Sequence, residues 1–304
     1  MIYRIRENTR SWREKISTLL WSARPKHSFL EVLAIFKNEA HILNEWVYHY
    51  LSQGADRVNL IDNGSEDNFL EILQPYLLDG RVRLWSDPRK YILFKAYNER
   101  LALLRKESAW LIVCDLDEFI YARRPFSSIR DYLHSLPFRV SCVQLPWKNF
   151  GSAGRKTQPQ DVRCKFIYRV NYALRRPSRG MEGDRICCKY IARLSRVRNL
   201  CLHRADLFWG SNLLPNGQCV DSNDFQDISE KILKSSSLHL NHYFLQSEEY
   251  FFKVKASRGD AVSPTGDDLR TSEFFSRFDF NDIKDDELSR IALAQENIET
   301  PLIQ

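Results

Sequence analysis

The residues Asp115-Leu116-Asp117-Glu118 stand directly after an entirely apolar run, Trp110 to Cys114. Hard divalent cations take carboxylate oxygens as ligands. Two aspartates at the end of a buried strand can place their carboxylates beside one ion, directly or through water. An ion held there can bridge two phosphate groups and neutralise charge on a departing diphosphate. An Asp-x-Asp triplet alone arises often by chance, and its competing reading is a solvated acidic turn. What gives this one weight is its place after the fourth apolar run of a regular series. Asp115 and Asp117 are therefore expected to hold a metal.

The elements that must present these carboxylates can be read upstream. Phe29 to Phe36 is a mostly apolar run, as a strand buried on both faces should be. Ile42, Leu43, Trp46, Val47, Tyr50 and Leu51 recur at helical spacing, and Gly54 stands where such a helix would stop. Val58 to Ile61 predicts a second strand, followed by an Asp62-Asn63-Gly64-Ser65 turn. Phe69, Ile72, Leu73, Tyr76 and Leu77 form another stripe, bent or ended by Pro75. Val82 to Trp85 predicts a third strand and residues 91–107 a third helix, ahead of the fourth strand at Trp110 to Cys114. Strands alternating with helices of this length imply right-handed βαβ units and a mostly parallel sheet. Ligands bind such sheets outside the carboxyl ends of the strands. Three clusters fall there: Lys37-Asn38-Glu39, Asp62-Asn63 and Asp115-Leu116-Asp117. No GxGxxG follows the first strand and no GxxxxGK[ST] occurs, which disfavours a dinucleotide fold and a P-loop enzyme.

Beyond residue 120 the pattern loosens. Strands are expected at Val140 to Trp147, 186–194 and 236–245, a loop at Phe150 to Gln160, and short helices near 271–278 and 284–295. The 304 residues suffice for one large domain, alone or with a small extension, and at 43% hydrophobic they can bury a sizeable core. A net charge of +6 is too mild to call for nucleic acid; it suits a small anionic partner such as a nucleotide diphosphate, or an anionic membrane surface. Seven cysteines, odd in number and without a CxxC pair, argue against a zinc site and a disulfide framework. They fit a reducing, cytoplasmic compartment. No run approaches the roughly 20 apolar residues of a bilayer span, and no signal-peptide core follows Met1. Residues 1–27 are basic, with Trp12, Ile16, Leu19 and Leu20 able to share one helical face. Such a helix either packs on the domain or lies on an anionic membrane. The chain is thus expected to divide into a basic segment 1–27, an α/β domain 28–260 and an acidic, partly helical extension 261–304.

Several stretches together carry a resemblance. They are Lys37-Asn38-Glu39, Glu45-Trp46 with Tyr48-His49, Gly54, Asp62-Asn63-Gly64-Ser65-Glu66-Asp67, Asp115-Leu116-Asp117-Glu118-Phe119, Phe150-Gly151-Ser152, His242-Tyr243, and Lys253 through Arg258-Gly259. In order and spacing, over about residues 30–260, the chain resembles the GT92-type glycosyltransferases and their bacterial and viral relatives, which are related to family 2. The resemblance implies a GT-A fold, a UDP-sugar donor, Mn²⁺ or Mg²⁺, inversion at the anomeric carbon, and a glycan or glycoconjugate acceptor, as in polysaccharide biosynthesis. It places the Asp62 carboxylate by the nucleotide base or ribose, where an acceptor-only group can take hydrogen bonds from uracil N–H or ribose hydroxyls. The competing reading of Asp62 is an Asx turn. The resemblance also makes His242, rather than His239, a further metal contact, although a lone strand histidine is often a satisfied core residue. Asn38, Glu39, Asn63 and Asp115 would line the nucleotide-sugar. Lys253 and Arg258 could meet the diphosphate, or lie on an exposed helix face.

An inverting transferase needs a general base, and Asp161, Glu182, Asp184 and Asp206 fall in the half of the chain where the acceptor belongs. Asp184 is the expected base, because Arg179 to Asp184 reads as a flexible loop that could close over the donor. Trp147 could stack on a sugar ring or serve the core, and the Gly151 to Gly154 loop could bring backbone close to a sugar. Two rival functions share the same scaffold. One is a metal-dependent phosphohydrolase, which would need a nucleophile or second-metal cluster near Asp115. The other is a non-catalytic nucleotide-sugar-binding protein.

Overall fold

The structure, a computed structural model, describes residues 26–258, 261–263 and 270–299. The basic segment 1–27 lies almost wholly outside these residues. The amino-terminal half alternates as the apolar runs predict: β1 (Ser28–Phe36), α1 (Ala40–Ser52), β2 (Arg57–Asp62), α2 (Phe69–Leu78), β3 (Val82–Ser86), α3 (Leu93–Glu107) and β4 (Ser108–Val113). There follow β5 (Glu118–Ala122), α4 (Ile129–Ser135), β6 (Val140–Asn149), β7 (Arg185–Arg193), β8 (Ser211–Leu213) and β9 (Leu238–His242). Across the main sheet the order is Cys219–Val220, β8, β6, β7, β4, β1, β2, β3. Strands β3, β2, β1 and β4 pair in parallel; β7 runs against both its neighbours, β4 and β6, and β8 is again parallel to β6. This is the mostly parallel, helix-flanked α/β sheet expected of a GT-A-type fold. Glu118–Ala122 forms a strand that the pattern after Asp117 does not single out. It pairs with β9, which also pairs with β6.

Alternation along β1 explains its apolar continuity. Leu30, Val32, Ala34 and Phe36 enter one core with Ile42, Leu43, Trp46, Val47 and Tyr50 of α1. Leu33 and Ile35 enter a second core with Leu93, Ala96, Tyr97, Leu101 and Leu104 of α3. Both faces are covered, so each large apolar side chain withdrawn from water contributes roughly 1.5–3 kcal/mol. Helix α1 has no side-chain cap of its own; its first amide, Ala40 N–H, donates to Asp67 Oδ2 at 2.8 Å. Just beyond its end Gly54 takes φ +91°, where an added Cβ would meet Arg130 Cβ at 2.6 Å. The carboxy-terminal part is packed on this body: Ile283–Lys284 pairs with Tyr168–Arg169, and Leu288 is buried in the larger core. All seven cysteines are free thiols. Among the described residues no helix is long and apolar enough to cross a membrane.

Candidate active site

The parallel registers bring the carboxyl ends of β1, β2 and β4 to one edge of the sheet. The turn after β4 is braced from beneath. Trp46 Nε1 donates to the carbonyls of Asp115 and Glu118, each at 3.0 Å, and Tyr50 Oη donates to Glu118 O at 3.0 Å. His49 Nε2 donates to Ile120 O at 2.7 Å. The turn closes on itself as Glu118 Oε2 accepts from Asp115 N–H at 2.8 Å, and Leu116 is buried between the two aspartates. The Glu45-Trp46 and Tyr48-His49 stretches thus earn their place by holding the acidic turn rigid.

Asp117 and His242 face each other across the β5–β9 pair, where His242 lies opposite Glu118. His242 Nδ1 is 3.0 Å from Asn149 Oδ1, an acceptor, so Nδ1 carries the proton and Nε2 keeps its lone pair. Burial holds this imidazole well below the usual histidine range, hence neutral. Its Nε2 lies 3.7 Å from Asp117 Oδ1. Burial opposes the Asp117 charge, but the Lys255 ammonium, through its charge and its hydrogen bond, and the Arg258 guanidinium outweigh it and keep the group ionised. Two electron-pair donors therefore converge with no proton between them. Glu118 joins them, its ligand atom lying within 4.8 Å of the other two, and its buried Oε1 has no partner. Carboxylate oxygens with one neutral imidazole fit a divalent cation such as Mn²⁺. Asp115 lines the same cleft, but its Oδ2 accepts from Lys189 Nζ at 2.9 Å, and it stands outside the Asp117–Glu118–His242 group.

The cleft has a volume of about 370 Å³. Lys37, Arg179, Lys255, Arg258 and Arg270 line it, against the carboxylates of Glu39, Asp115 and Asp117. Five cations against three anions leave room for an anionic ligand. Lys255 Nζ is 2.5 Å from Asp117 Oδ2. Arg258 is partly buried, pairs with Glu39 and donates to Lys37 O at 3.2 Å. Burial pushes the Glu39 carboxyl up against the pull of that guanidinium, and its Oε2 has no partner. Lys189 is fully buried, which opposes its charge, yet Asp115 and Glu118 keep it protonated. Trp147 closes one wall, its ring 4.1 Å from that of His242, and its buried Nε1–H also lacks a partner.

Other expected residues fall elsewhere. Asn38, at φ +54°, braces the neighbouring loop: its N–H donates to Ser65 Oγ at 3.0 Å and its Oδ1 accepts from Glu66 N–H at 2.8 Å. Asp62 is buried at the end of β2 and its Oδ1 accepts from Ser65 N–H, three residues on, at 2.8 Å, so it braces the following turn, while Asn63 lines the cleft. Lys253 is not in the cleft. It is 73% exposed and pairs with Glu249 four residues before it, as the helix-face reading has it. The π-helical turn Phe251–Lys255 presents Lys255 instead. Asp184 is also outside: Met181–Glu182 pairs with Arg185–Ile186, so Gly183-Asp184 forms the exposed tip of a tight hairpin rather than a loop over the donor. Glu182 shares that hairpin, Asp161 caps a short helix with its backbone, and Asp206 sits beside Asn199 and Arg198. Lys189 and His203 are cleft or near-cleft residues that the motifs do not mark, while Lys255 and Arg179 lie in stretches the sequence points to without being singled out there. Of the first two, only Lys189 carried a signal, as a lone lysine in an otherwise apolar strand.

The family model for glycosyltransferase family 92 matches residues 33–290. Among solved structures, the chain is similar to the crystal structure of S. aureus TarS 1–349, with 13% identity, 82% of this chain and 71% of that one covered, and a TM-score of 0.36. For the longer S. aureus TarS chain the identity is 15%, the coverage 82% and 43%, and the TM-score 0.39. This chain therefore spans less than half of that protein. It is also similar to glucosyl-3-phosphoglycerate synthase from Mycobacterium tuberculosis in complex with Mn²⁺, UDP and glucosyl-3-phosphoglycerate, with 13% identity, 55% and 57% covered, and a TM-score of 0.29. Likenesses this distant carry no residue-by-residue correspondence. No curated protein matches the sequence.

Proposed function

Since the chain belongs to glycosyltransferase family 92, we propose that it moves a hexose from a UDP-sugar to a hydroxyl of a glycan or glycoconjugate, with inversion at the anomeric carbon. That it is a glycosyltransferase follows from the family. One observation carries it: the neutral His242 Nε2 and the ionised Asp117 carboxylate converge at 3.7 Å at the end of β4, beside a cation-rich cleft.

Asp117, His242 and Glu118 would hold Mn²⁺ or Mg²⁺, with Asp115 beside them, and the imidazole favours Mn²⁺. A bound ion supplies charge neutralisation at the departing diphosphate. Lys255 and Arg258 meet the diphosphate oxygens directly, exchanging part of their pairing with Asp117 and Glu39 for the ligand. Asn63 lines the nucleotide's end of the cleft, and Asp62 beside it takes the uracil or ribose contact. Trp147 forms the floor on which the hexose rests. Residues 1–24 would bring this cytoplasmic enzyme to an anionic membrane surface.

Thermal unfolding with UDP, with and without Mn²⁺, tests the core of the reading. A ligand at 100 times its dissociation constant adds about 2.7 kcal/mol of stability, so UDP should raise the melting temperature, and more so with Mn²⁺. No Mn²⁺-dependent shift with UDP or any UDP-hexose would reject the proposed donor and metal.

A further inference from the structure

Resting on that transferase reading, we infer that His203 is the general base that deprotonates the acceptor hydroxyl. Inversion requires the acceptor to attack from the side opposite the departing diphosphate, so the base must reach the acceptor hydroxyl from within the cleft. His203 lines the cleft beside the indole of Trp147, which also contacts His242 of the metal group. The indole centroid is 4.1 Å from that of His242 and 5.3 Å from that of His203.

The chemistry of His203 is set by its neighbours. Its Nδ1 is 2.9 Å from the Cys188 carbonyl, which can only accept, so Nδ1 carries the proton. Nε2 then holds the lone pair, and it has no partner among the described residues. Burial and the nearby Lys189 ammonium bring this imidazole down to about 4, so it is a free base at neutral pH. Asp115 and Asp117 are each paired with a lysine, Lys189 and Lys255, and His242 belongs to the metal group, whereas His203 lines the cleft with its lone pair unengaged.

It is also held still. His203 lies in the turn of a hairpin between Val197–Leu200 and Ala205–Leu207, closed by Cys201 N–H to Arg204 O at 3.1 Å. The hairpin is clamped to α3, where Asn98 accepts from Leu200 N–H at 2.9 Å and donates to Leu200 O at 2.8 Å. On the far side Arg204 pairs with Asp224 at 2.8 Å. In the proposed step the hydroxyl proton passes to Nε2 as the acceptor oxygen bonds to the anomeric carbon. The bond from that carbon to the diphosphate breaks, its electron pair leaving on the diphosphate oxygen. The imidazolium then returns its proton to water.

The test compares wild type, His203→Ala and His203→Gln in the full chain. UDP release is measured from UDP-glucose, UDP-galactose and UDP-N-acetylglucosamine with Mn²⁺ and a mixed oligosaccharide pool, alongside UDP binding by calorimetry. A general base contributes about 10²–10⁴-fold, so both variants should lose at least a hundredfold in acceptor-dependent turnover while binding UDP as wild type does. Added imidazole should restore part of the turnover of His203→Ala. Turnover above a tenth of wild type in either variant overturns the assignment of His203. Wild type that releases no UDP from any of the three donors instead overturns the transferase reading beneath it.

Discussion

Two buried charge clusters flank β9, and its two histidines belong one to each. His239 and His242 are three residues apart, so they point to opposite faces of the strand. On the His239 side Lys148, fully buried, donates to Tyr121 Oη at 3.0 Å and to Asp285 Oδ2 at 2.9 Å. Arg169 pairs with Asp285 and makes two 2.8 Å bonds to Glu230, while Arg123 and Tyr121 donate to Glu287. No buried polar side-chain atom of that group lacks a partner. On the His242 side Glu39 Oε2, Glu118 Oε1 and Trp147 Nε1 all lack one. Both clusters bear the cost of taking charge out of water. One is complete and serves as scaffold; the other is incomplete in a way that a cation and an anionic ligand would complete.

The contrast can be broken most sharply at Asp117. Asp117→Asn keeps the side-chain volume but removes a ligand charge, and transfer should fall by about a thousandfold or more, since metal stabilisation of a leaving group is worth several kcal/mol. A UDP-release assay checks it, and full activity in this variant or in excess EDTA would sink the metal assignment. In the complete cluster the effect should appear in stability instead. Asp285→Ala strands Lys148 and Arg169 in the interior, which should cost about 3–5 kcal/mol in urea unfolding. Turnover per folded molecule should be unchanged; a loss of turnover at full stability would erase the distinction.

Acid should sharpen it further. Burial opposes the charge of Glu287, but hydrogen bonds from His239 and Arg123 hold its carboxyl at about 2. Between its ordinary value near 4.5 and 2 the unfolded chain binds the extra proton, so this stability is present above 4.5 and drains away as pH falls toward 2. Glu39 runs the other way: burial raises it, so its contribution falls as pH rises through its ordinary range. Melting temperatures from pH 6 to 2 should therefore show a smaller acid loss in Glu287→Gln than in wild type. The smallest effect concerns the basic residues 1–24. Each Lys or Arg near an anionic leaflet contributes about 1 kcal/mol, and salt screens it. Deleting residues 1–24 should reduce co-sedimentation with anionic liposomes at low salt and spare activity on a soluble acceptor. Full-length protein that ignores such liposomes would confine those residues to a role on the domain itself.

The complete cluster was hard to read in the sequence, and the parallel half was easy, for the same physical reason. The run Phe29 to Phe36 and the stripe Ile42 to Tyr50 are periodic because each side chain meets a neighbour within one βαβ unit. Asp115 and Asp117 could be found because they end a strand of that series. Lys255 and His203 reach the cleft by a π-helical turn and by a hairpin clamp, and neither leaves a periodic trace. Lys253 and Asp184 misled for a related reason. A cation or acid in a polar stretch has no pattern to say which way it faces, and one helical turn or one tight hairpin decides it.

The pairing of β5 with β9 has a consequence in time as well as in space. Synthesis delivers the chain from its amino end, so Asp117 exists long before the lysine that neutralises it, 138 positions later. The intervening residues must be made, and β9 set in register against β5, before His242 stands opposite Glu118. A one-residue slip would turn His242 away altogether. A growing or truncated chain that ends short of this strand can own all of β1 to β4 and the acidic turn, yet lack the third member of the Asp117–Glu118–His242 group. Assembly of that group is thereby tied to synthesis of the chain through β9.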